Sequence, residues 1–219
     1  MADGLHLRDV QITKDGTPLV GLNRLIKPGE VLSVMGPSGI GKSTLLAFVT
    51  GTLAPAFKAT GSVVLDDRDI TIEAPHKRNV GILFQDDLLF PHLSVGANLA
   101  FGLPPGGSLK DRRAKVEAAL TDVDLTDFAD RDPATLSGGQ KARVALMRML
   151  LADPCALLLD EAFSRLDTAL RAQVRDLVFA RAKALQLPVL MVTHDSEDAN
   201  AAGGEIVQLG DPMHHTSRT

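Results

Sequence analysis

The sequence predicts an α/β fold with a mostly parallel core sheet. Two runs, Ala156–Leu159 and Val189–Val192, are apolar at every position, and Val31–Met35 is mostly apolar. Strands of this kind are buried on both faces, as parallel strands covered by helices are. Between Ala156–Leu159 and Val189–Val192, residues 170–178 place apolar side chains at helical spacing. The alternation of such strands and helices indicates a sheet with helices on both sides.

Shorter patterns predict the remaining elements. We expect two N-terminal antiparallel strands at 5–12 and 17–27, a strand–turn–strand at 62–72, and a buried strand at Val80–Phe84. From residue 86 the character becomes helical, with helix starts at Ser108 and Ser137. We therefore expect one domain over 1–219, with an inserted helical subdomain at 86–153 and a core subdomain formed by 1–85 and 154–219.

Composition excludes several classes of protein. The chain has 219 residues, of which 45% are hydrophobic and 23% charged, so a disordered chain is excluded. Its 23 basic and 27 acidic residues give a net charge of −4, which argues against a nucleic-acid partner. The single cysteine, Cys155, suits a reducing compartment. The uncharged stretch 88–109 contains three prolines, so we expect no membrane-spanning helix. If the protein serves a membrane process, another chain supplies the membrane part.

Residues 36–43 read GPSGIGKS and fit the phosphate-binding loop G-x-x-x-x-G-K-[ST] between a strand and a helix. Glycines let backbone amides turn toward phosphate oxygens, and the following helix directs its positive end at them. Lys42 would neutralise the β- and γ-phosphates, and the Ser43 hydroxyl would bind Mg²⁺. The alternative is a chance glycine turn, which the strand–loop–helix context disfavours.

Residues 157–161 read LLLDE and supply the acidic partner that such a loop requires. Asp160 would emerge at the carboxyl end of a buried strand and hold Mg²⁺, and Glu161 would polarise a water. An apolar run ending in Asp-Glu is by itself usually structural, and the phosphate loop makes the catalytic interpretation the better one.

Residues 136–140 read LSGGQ, and here the sequence resembles the ATP-binding subunits of ABC transporters over nearly its whole length. The family's elements occur in order: the phosphate loop at 36–44, Gln85, the LSGGQ signature, the acidic strand end, Asp167 and His194. The resemblance implies a P-loop NTPase of the ABC ATPase fold.

The resemblance also implies a role for each matching residue. Glu161, His194 and Gln85 would be catalytic, and Ser43, Gln85 and Asp160 would bind Mg²⁺. Nucleotide binding would fall to Gly36, Pro37, Ser38, Gly39, Gly41, Lys42, Ser43, Thr44, Ser137, Gly138, Gly139, Gln140 and Asp167. In the family the LSGGQ motif acts on ATP held by the opposite subunit. Taken alone, Ser137 would be a helix N-cap and His194 a surface group.

Residues 85–95 read QDDLLFPHLSV and are similar to the segment of bacterial importer ATPases that receives the permease. The resemblance implies an ATP-hydrolysing subunit that powers solute transport, with import expected. Its partners would be a second copy or a related cassette, a transmembrane permease and a substrate-binding protein, at the cytoplasmic face of the membrane. Leu88, Leu89 and Phe90 would then be exposed for docking; a helical-subdomain core is the equal alternative.

Two other functions stay open at this point. One is the ATPase of a lipid or lipoprotein exporter, which only the similarity at 85–95 disfavours. The other is a non-transport ABC ATPase acting on nucleic acid or ribosomes. Such proteins usually carry a long coiled-coil insertion or two tandem cassettes, and neither is present.

The sequence departs from the family's pattern at three places. Ala162 replaces the usual Pro and Arg165 the usual Ala, both beside the expected dimer contact. Residues 11–20 read QITKDGTPLV and lack the aromatic residue on which the family stacks adenine. We therefore expect modest ATP affinity and less than about tenfold preference for ATP over GTP.

Overall fold

The computed structural model describes residues 4–210, which form two compact units. The first unit comprises the described residues up to Val80, those from Cys155 to Glu161 and those from Phe179 onward. The second comprises Gly81–Pro154 and Ala162–Val178. The predicted helical subdomain, 86–153, is contained in the second unit.

An antiparallel sheet of four strands forms the N-terminal part of the first unit, in the order β2–β1–β4–β5. Its strands are β1 (Leu5–Lys14), β2 (Thr17–Ile26), β4 (Phe57–Leu65) and β5 (Arg68–Asp69). The two turns follow from residues that tolerate the left-handed conformation: Asp15 has φ of 49°, and Asp66 and Asp67 have φ of 48° and 64°. The predicted antiparallel strands are confirmed.

A parallel sheet carries the core of the first unit, in the order β7–β8–β3–β9. Its strands are β3 (Val31–Met35), β7 (Ala156–Asp160), β8 (Val189–Thr193) and β9 (Glu205–Gln208). The side chains of β8 are buried throughout, and those of β7 are buried up to Leu159. Helices α1 (Lys42–Thr50) and α6 (Ser196–Ala202) and a 3₁₀ turn (Pro75–Lys77) complete the elements that lie wholly in this unit. The α/β prediction is confirmed.

One buried arginine fixes the end of α1, the helix that begins at the phosphate loop. Arg78 donates to the carbonyl oxygens of Phe48 and Val49, at 2.9 Å each, and to those of Thr71 and Glu73. Burial lowers the pKa of its guanidinium. The charge is thus satisfied by backbone carbonyls, which are left unpaired at a helix C-terminus.

The second unit is mostly helical and has its own apolar core. Its elements are β6 (Val80–Phe84, all but its first residue), α2 (Val95–Gly102), α3 (Leu109–Thr121), a 3₁₀ turn (Pro133–Thr135), α4 (Gly138–Leu150) and the first part of α5 (Thr168–Ala184). Ser94, Ser108 and Ser137 are the N-caps of α2, α3 and α4. The predicted starts at Ser108 and Ser137 are therefore found as helix caps.

Candidate nucleotide-binding site

The phosphate loop connects β3 to α1 in the first unit. Gly41, the N-cap of α1, has φ of 111°, and a Cβ there would lie 2.9 Å from Val20 Cγ2. Only glycine fits this position, because it alone combines a left-handed conformation with so close an approach. The loop residues Pro37, Ser38 and Gly39 are exposed to solvent. The N-terminus of α1 therefore begins directly behind an open loop, as an anion-binding helix requires.

Lys42 is buried, with 5% of its side chain exposed, and its ammonium is held by the loop itself. Nζ donates to the carbonyl oxygens of Gly36 at 2.6 Å and Pro37 at 3.1 Å. It also lies 3.8 Å from Oε1 of Glu161. The Lys42 ammonium thus lies beside the carboxylate of Glu161, the residue that follows β7.

Ser43 and Asp160 lie together, as the Mg²⁺ assignment requires. The Ser43 hydroxyl donates to Oδ1 of Asp160 at 3.1 Å. Burial raises the pKa of the Asp160 carboxyl, and the charge of Glu161 raises it further, while the Ser43 hydrogen bond and Lys42 oppose the shift. A partly buried carboxylate beside a hydroxyl is a pair of hard oxygen ligands that suits Mg²⁺. In the part of the chain that the structure describes, no group of three His, Cys, Asp or Glu side chains forms another metal site.

Glu161 and His194 are in contact at the ends of neighbouring strands. Glu161 has φ of 48°, and its amide donates to the Val192 carbonyl of β8 at 3.0 Å. Its Oε2 lies 3.2 Å from Nδ1 of His194, which is half-exposed. A left-handed conformation is costly for a non-glycine residue and persists where the surrounding structure imposes it. The structure thus brings together Glu161 and His194, two of the three residues to which the family resemblance gave catalytic roles.

The LSGGQ motif opens α4 in the second unit. Gln140 N donates to Ser137 Oγ at 3.3 Å, and Ser137 N donates to Gln140 Oε1 at 3.0 Å, so the two form a capping box. A Cβ on Gly139 would lie 2.2 Å from Leu170 Cδ1 of α5. Gly139 therefore lets α5 approach the N-terminus of α4, where Gly138 and Gly139 present backbone amides.

The other assigned residues of the second unit lie at loop positions. Gln85 is exposed at the end of β6. Asp167 Oδ1 accepts from Leu170 N at 3.1 Å and so caps α5. Arg165 forms an ion pair with Asp86, the neighbour of Gln85. Nothing in the structure explains Ala162.

Sequence reasoning missed two features of this unit. Asn98 is fully buried in α2 and bonds four backbone groups of residues 90–94. A polar residue on an otherwise apolar helix face was the available signal. The rings of Phe90 and Phe101 meet edge to face at 4.7 Å, and Phe101 is 68% exposed. Leu88 is exposed as expected, whereas Leu89 packs against the second unit's core.

No helix among residues 4–210 has both the length and the apolarity to cross a membrane. The sequence profile described as ABC transporter matches residues 19–164. The uncharacterized ABC transporter ATP-binding protein YnjD of Escherichia coli is 50% identical over 183 residues, 84% of each chain. The thiamine import ATP-binding protein ThiQ of Haemophilus influenzae is 43% identical over 195 residues, 89% of each chain.

A solved structure of an ABC transporter subunit has the same fold as this chain. CbiO1 of Clostridium perfringens, part of the ABC transporter complex CbiONQ, matches with a TM-score of 0.83 at 29% identity. The match covers 95% of this chain and 85% of that one. The chain therefore belongs to the ABC transporter family, as a subunit that binds and hydrolyses ATP.

Proposed function

We propose that this chain powers the import of a solute through a separate membrane permease, by hydrolysing ATP between two copies of itself or with a related cassette. One observation carries the proposal. The chain has two helix N-termini built for phosphate, α1 behind the Lys42 loop and α4 at LSGGQ, and they belong to different compact units. Each is half of a triphosphate site, and a second cassette supplies the complementary half.

In the first half-site, each side chain has a distinct task. Lys42 exchanges its bonds to the Gly36 and Pro37 carbonyls for the β- and γ-phosphates. Glu161 orients the attacking water and accepts its proton, and His194 holds Glu161 and contacts the γ-phosphate. The 3.2 Å contact between these two side chains supports their joint action.

Mg²⁺ fits the same half-site. Ser43 and Asp160 would hold it, because the hydroxyl and the partly buried carboxylate are hard oxygen donors. When bound, the ion neutralises charge that develops on the phosphates.

In the second half-site, the signature motif acts on the nucleotide of the partner cassette through Ser137, Gly138, Gly139 and Gln140. Asp167 lies at the same contact. Ser137 Oγ accepts one hydrogen bond as a cap and keeps its own proton, which it donates to a γ-phosphate oxygen. The amides of the two glycines add donors at the positive end of α4.

The permease contact is proposed for the exposed apolar side chains Leu88 and Phe101 of the second unit, together with Phe90, whose ring packs against that of Phe101. Leu88 and Phe101 are 56% and 68% exposed, so they offer apolar area to a partner. The import names of relatives such as ThiQ support import over export, and the net charge of −4 offers little to nucleic acid. A substrate-binding protein would deliver the solute, with this chain at the cytoplasmic face.

The direct test is transport by the whole complex. The chain is co-expressed with permease and binding-protein subunits of importer type, and transport is measured in inverted vesicles and in intact cells. Import predicts ATP-dependent solute accumulation in cells, lost in Lys42→Ala, which removes the loop's cation. Efflux from cells that depends on the same lysine would indicate an exporter, and the absence of transport with active ATPase would contradict both.

A further inference from the structure

An aromatic ring lies at the end of β1, although residues 11–20 contain none. Phe57, the first residue of β4, is the direct cross-strand partner of Lys14, the last residue of β1. The Lys14 ammonium lies 5.8 Å from the centroid of the Phe57 ring. Partners directly opposite on antiparallel strands project their side chains from the same face of the sheet. Phe57 thus places a ring where the β1–β2 hairpin lacks one.

The same face of this sheet reaches the phosphate loop. Ile12, two residues before Lys14, pairs with Val20 on one side and Ala59 on the other. Val20 is the side chain that packs against Gly41, the N-cap of α1. From Val20 to Phe57 the sheet spans two strand spacings and two residues, about 12 Å. A ribose and a base extend from phosphates over a comparable span, so a nucleotide at the loop can reach Phe57.

The ring is anchored and also accessible. Phe57 is half-buried, and Lys14, which lies over it, is exposed. The side chain that lies over this ring is a flexible lysine, Lys14. A planar ligand can take its place on the ring, and the ammonium can then turn toward ribose hydroxyls.

We propose that Phe57 is the base platform of this chain: the purine of ATP stacks on its ring, with Lys14 beside it. The proposal rests on the ATP site described above. It revises the affinity expected from the sequence, because a ring is present after all. It keeps the expected ATP-over-GTP preference below about tenfold, since stacking accepts any purine.

The binding test separates base from phosphate. Dissociation constants for Mg-ATP and for inorganic tripolyphosphate are measured by calorimetry on the wild type, Phe57→Leu and Phe57→Tyr. Phe57→Leu should weaken ATP binding roughly five- to 100-fold and leave tripolyphosphate binding unchanged. Phe57→Tyr keeps a ring and should bind ATP like the wild type. Ile72→Ala, at a 97% exposed position of the same unit, is the surface control.

A spectroscopic test does not depend on the stability of the leucine variant. The chain has no Trp and no Tyr, so Phe57→Trp introduces the sole tryptophan. ATP and GTP should quench its fluorescence, and tripolyphosphate should not. Phe101→Trp, in the other unit, is the matched control and should show no base-dependent quenching.

The outcomes are distinguishable. If Phe57→Leu binds ATP as tightly as the wild type, or Phe57→Trp responds equally to ATP and tripolyphosphate, the platform is elsewhere. If the wild type binds neither ATP nor tripolyphosphate, the proposed function itself fails.

Discussion

Oε2 of Glu161 lies 3.2 Å from Nδ1 of His194, at the carboxyl ends of the neighbouring strands β7 and β8. Oε1 of the same carboxylate lies 3.8 Å from Nζ of Lys42. One carboxylate thus links the phosphate-loop cation to the histidine. In the mechanism we propose, a water attacking a phosphate held by Lys42 meets this carboxylate first, and His194 orients the carboxylate.

Glu161→Gln should bind ATP and hydrolyse it about 10² times more slowly or worse, because the amide cannot accept the proton of water. Turnover is measured by phosphate release, and size-exclusion chromatography with ATP should show an accumulated dimer. Glu197→Gln, at an exposed position of α6, is the control. Turnover near that of the wild type would remove Glu161 from the role of base.

The contact between Glu161 and His194 predicts that their effects are not additive. His194→Ala should slow hydrolysis, yet adding it to Glu161→Gln should cost little more, because the histidine acts largely by holding the carboxylate. Phosphate release by the two single variants and the double variant measures this coupling. Fully multiplicative losses would mean that the histidine works independently.

Ser137→Ala should leave ATP binding by the isolated subunit intact and impair hydrolysis, since in the proposed pair of cassettes the LSGGQ motif acts on the partner's nucleotide. Lys42→Ala should weaken binding itself, roughly tenfold or more. Because Ser137 is also an N-cap, Ser108→Ala is the matched control: it removes the cap of α3 at a similar stability cost of about 1 kcal/mol. Equal loss of monomer binding in Ser137→Ala and Lys42→Ala would contradict the shared site.

Asp160→Asn should stabilise the nucleotide-free protein at neutral pH. The pKa of this carboxyl is raised in the folded state, so its favourable contribution is full below the ordinary value of 3.8 and is lost as pH rises through the folded pKa. Asparagine keeps the acceptor for Ser43 without the charge. The gain in Tm over the wild type should be present at pH 7 and shrink toward pH 4. The same substitution should weaken Mg²⁺-dependent ATP binding, because it removes a proposed ligand of the ion.

The exposed Asp176 provides the comparison for that experiment. Asp176→Asn should shift Tm little at either pH, because 75% of its side chain is in solvent. A drop in Tm at pH 7 in Asp160→Asn would show that the ionised carboxylate stabilises the fold.

Asn98→Leu should lower the free energy of unfolding by about 2–4 kcal/mol, because it removes the acceptor of the Phe90 amide and a donor to the carbonyls of residues 90, 93 and 94. The carbonyls of residues 90 and 94 keep their backbone donors, the amides of Leu93 and Asn98. Urea unfolding measures the loss. Hydrogen exchange at the Phe90 amide should accelerate. Asn200→Leu, at an exposed position of α6, should leave both unchanged.

Much of the fold could be predicted because its strands are locally unambiguous. Val31–Met35 and Val80–Phe84 have the bounds that the apolar pattern predicted, because strands of an α/β core contain few polar residues to interrupt the pattern. The predicted burial of Val80–Phe84 was wrong, since this strand is only partly buried and Phe84 is 44% exposed. The helix starts at Ser108 and Ser137 were predictable for a similar reason. A capping side chain accepts a hydrogen bond from the amide three residues later, so the capping pattern can be read from four consecutive residues.

The sequence by itself determined the phosphate loop, the acidic strand end and the LSGGQ cap, because each works through backbone and side chains a few residues apart. The tertiary structure alone decided that His194 touches Glu161, that Asn98 holds the segment before α2, and that Phe57 stands opposite Lys14. The Glu161–His194 and Phe57–Lys14 pairs come from separate parts of the chain, so no spacing or periodicity records them. Asn98 left one sequence signal, a polar residue on an apolar helix face, which does not identify its partners. Strand register and helix packing place these residues together, and both are fixed by burial of the whole core.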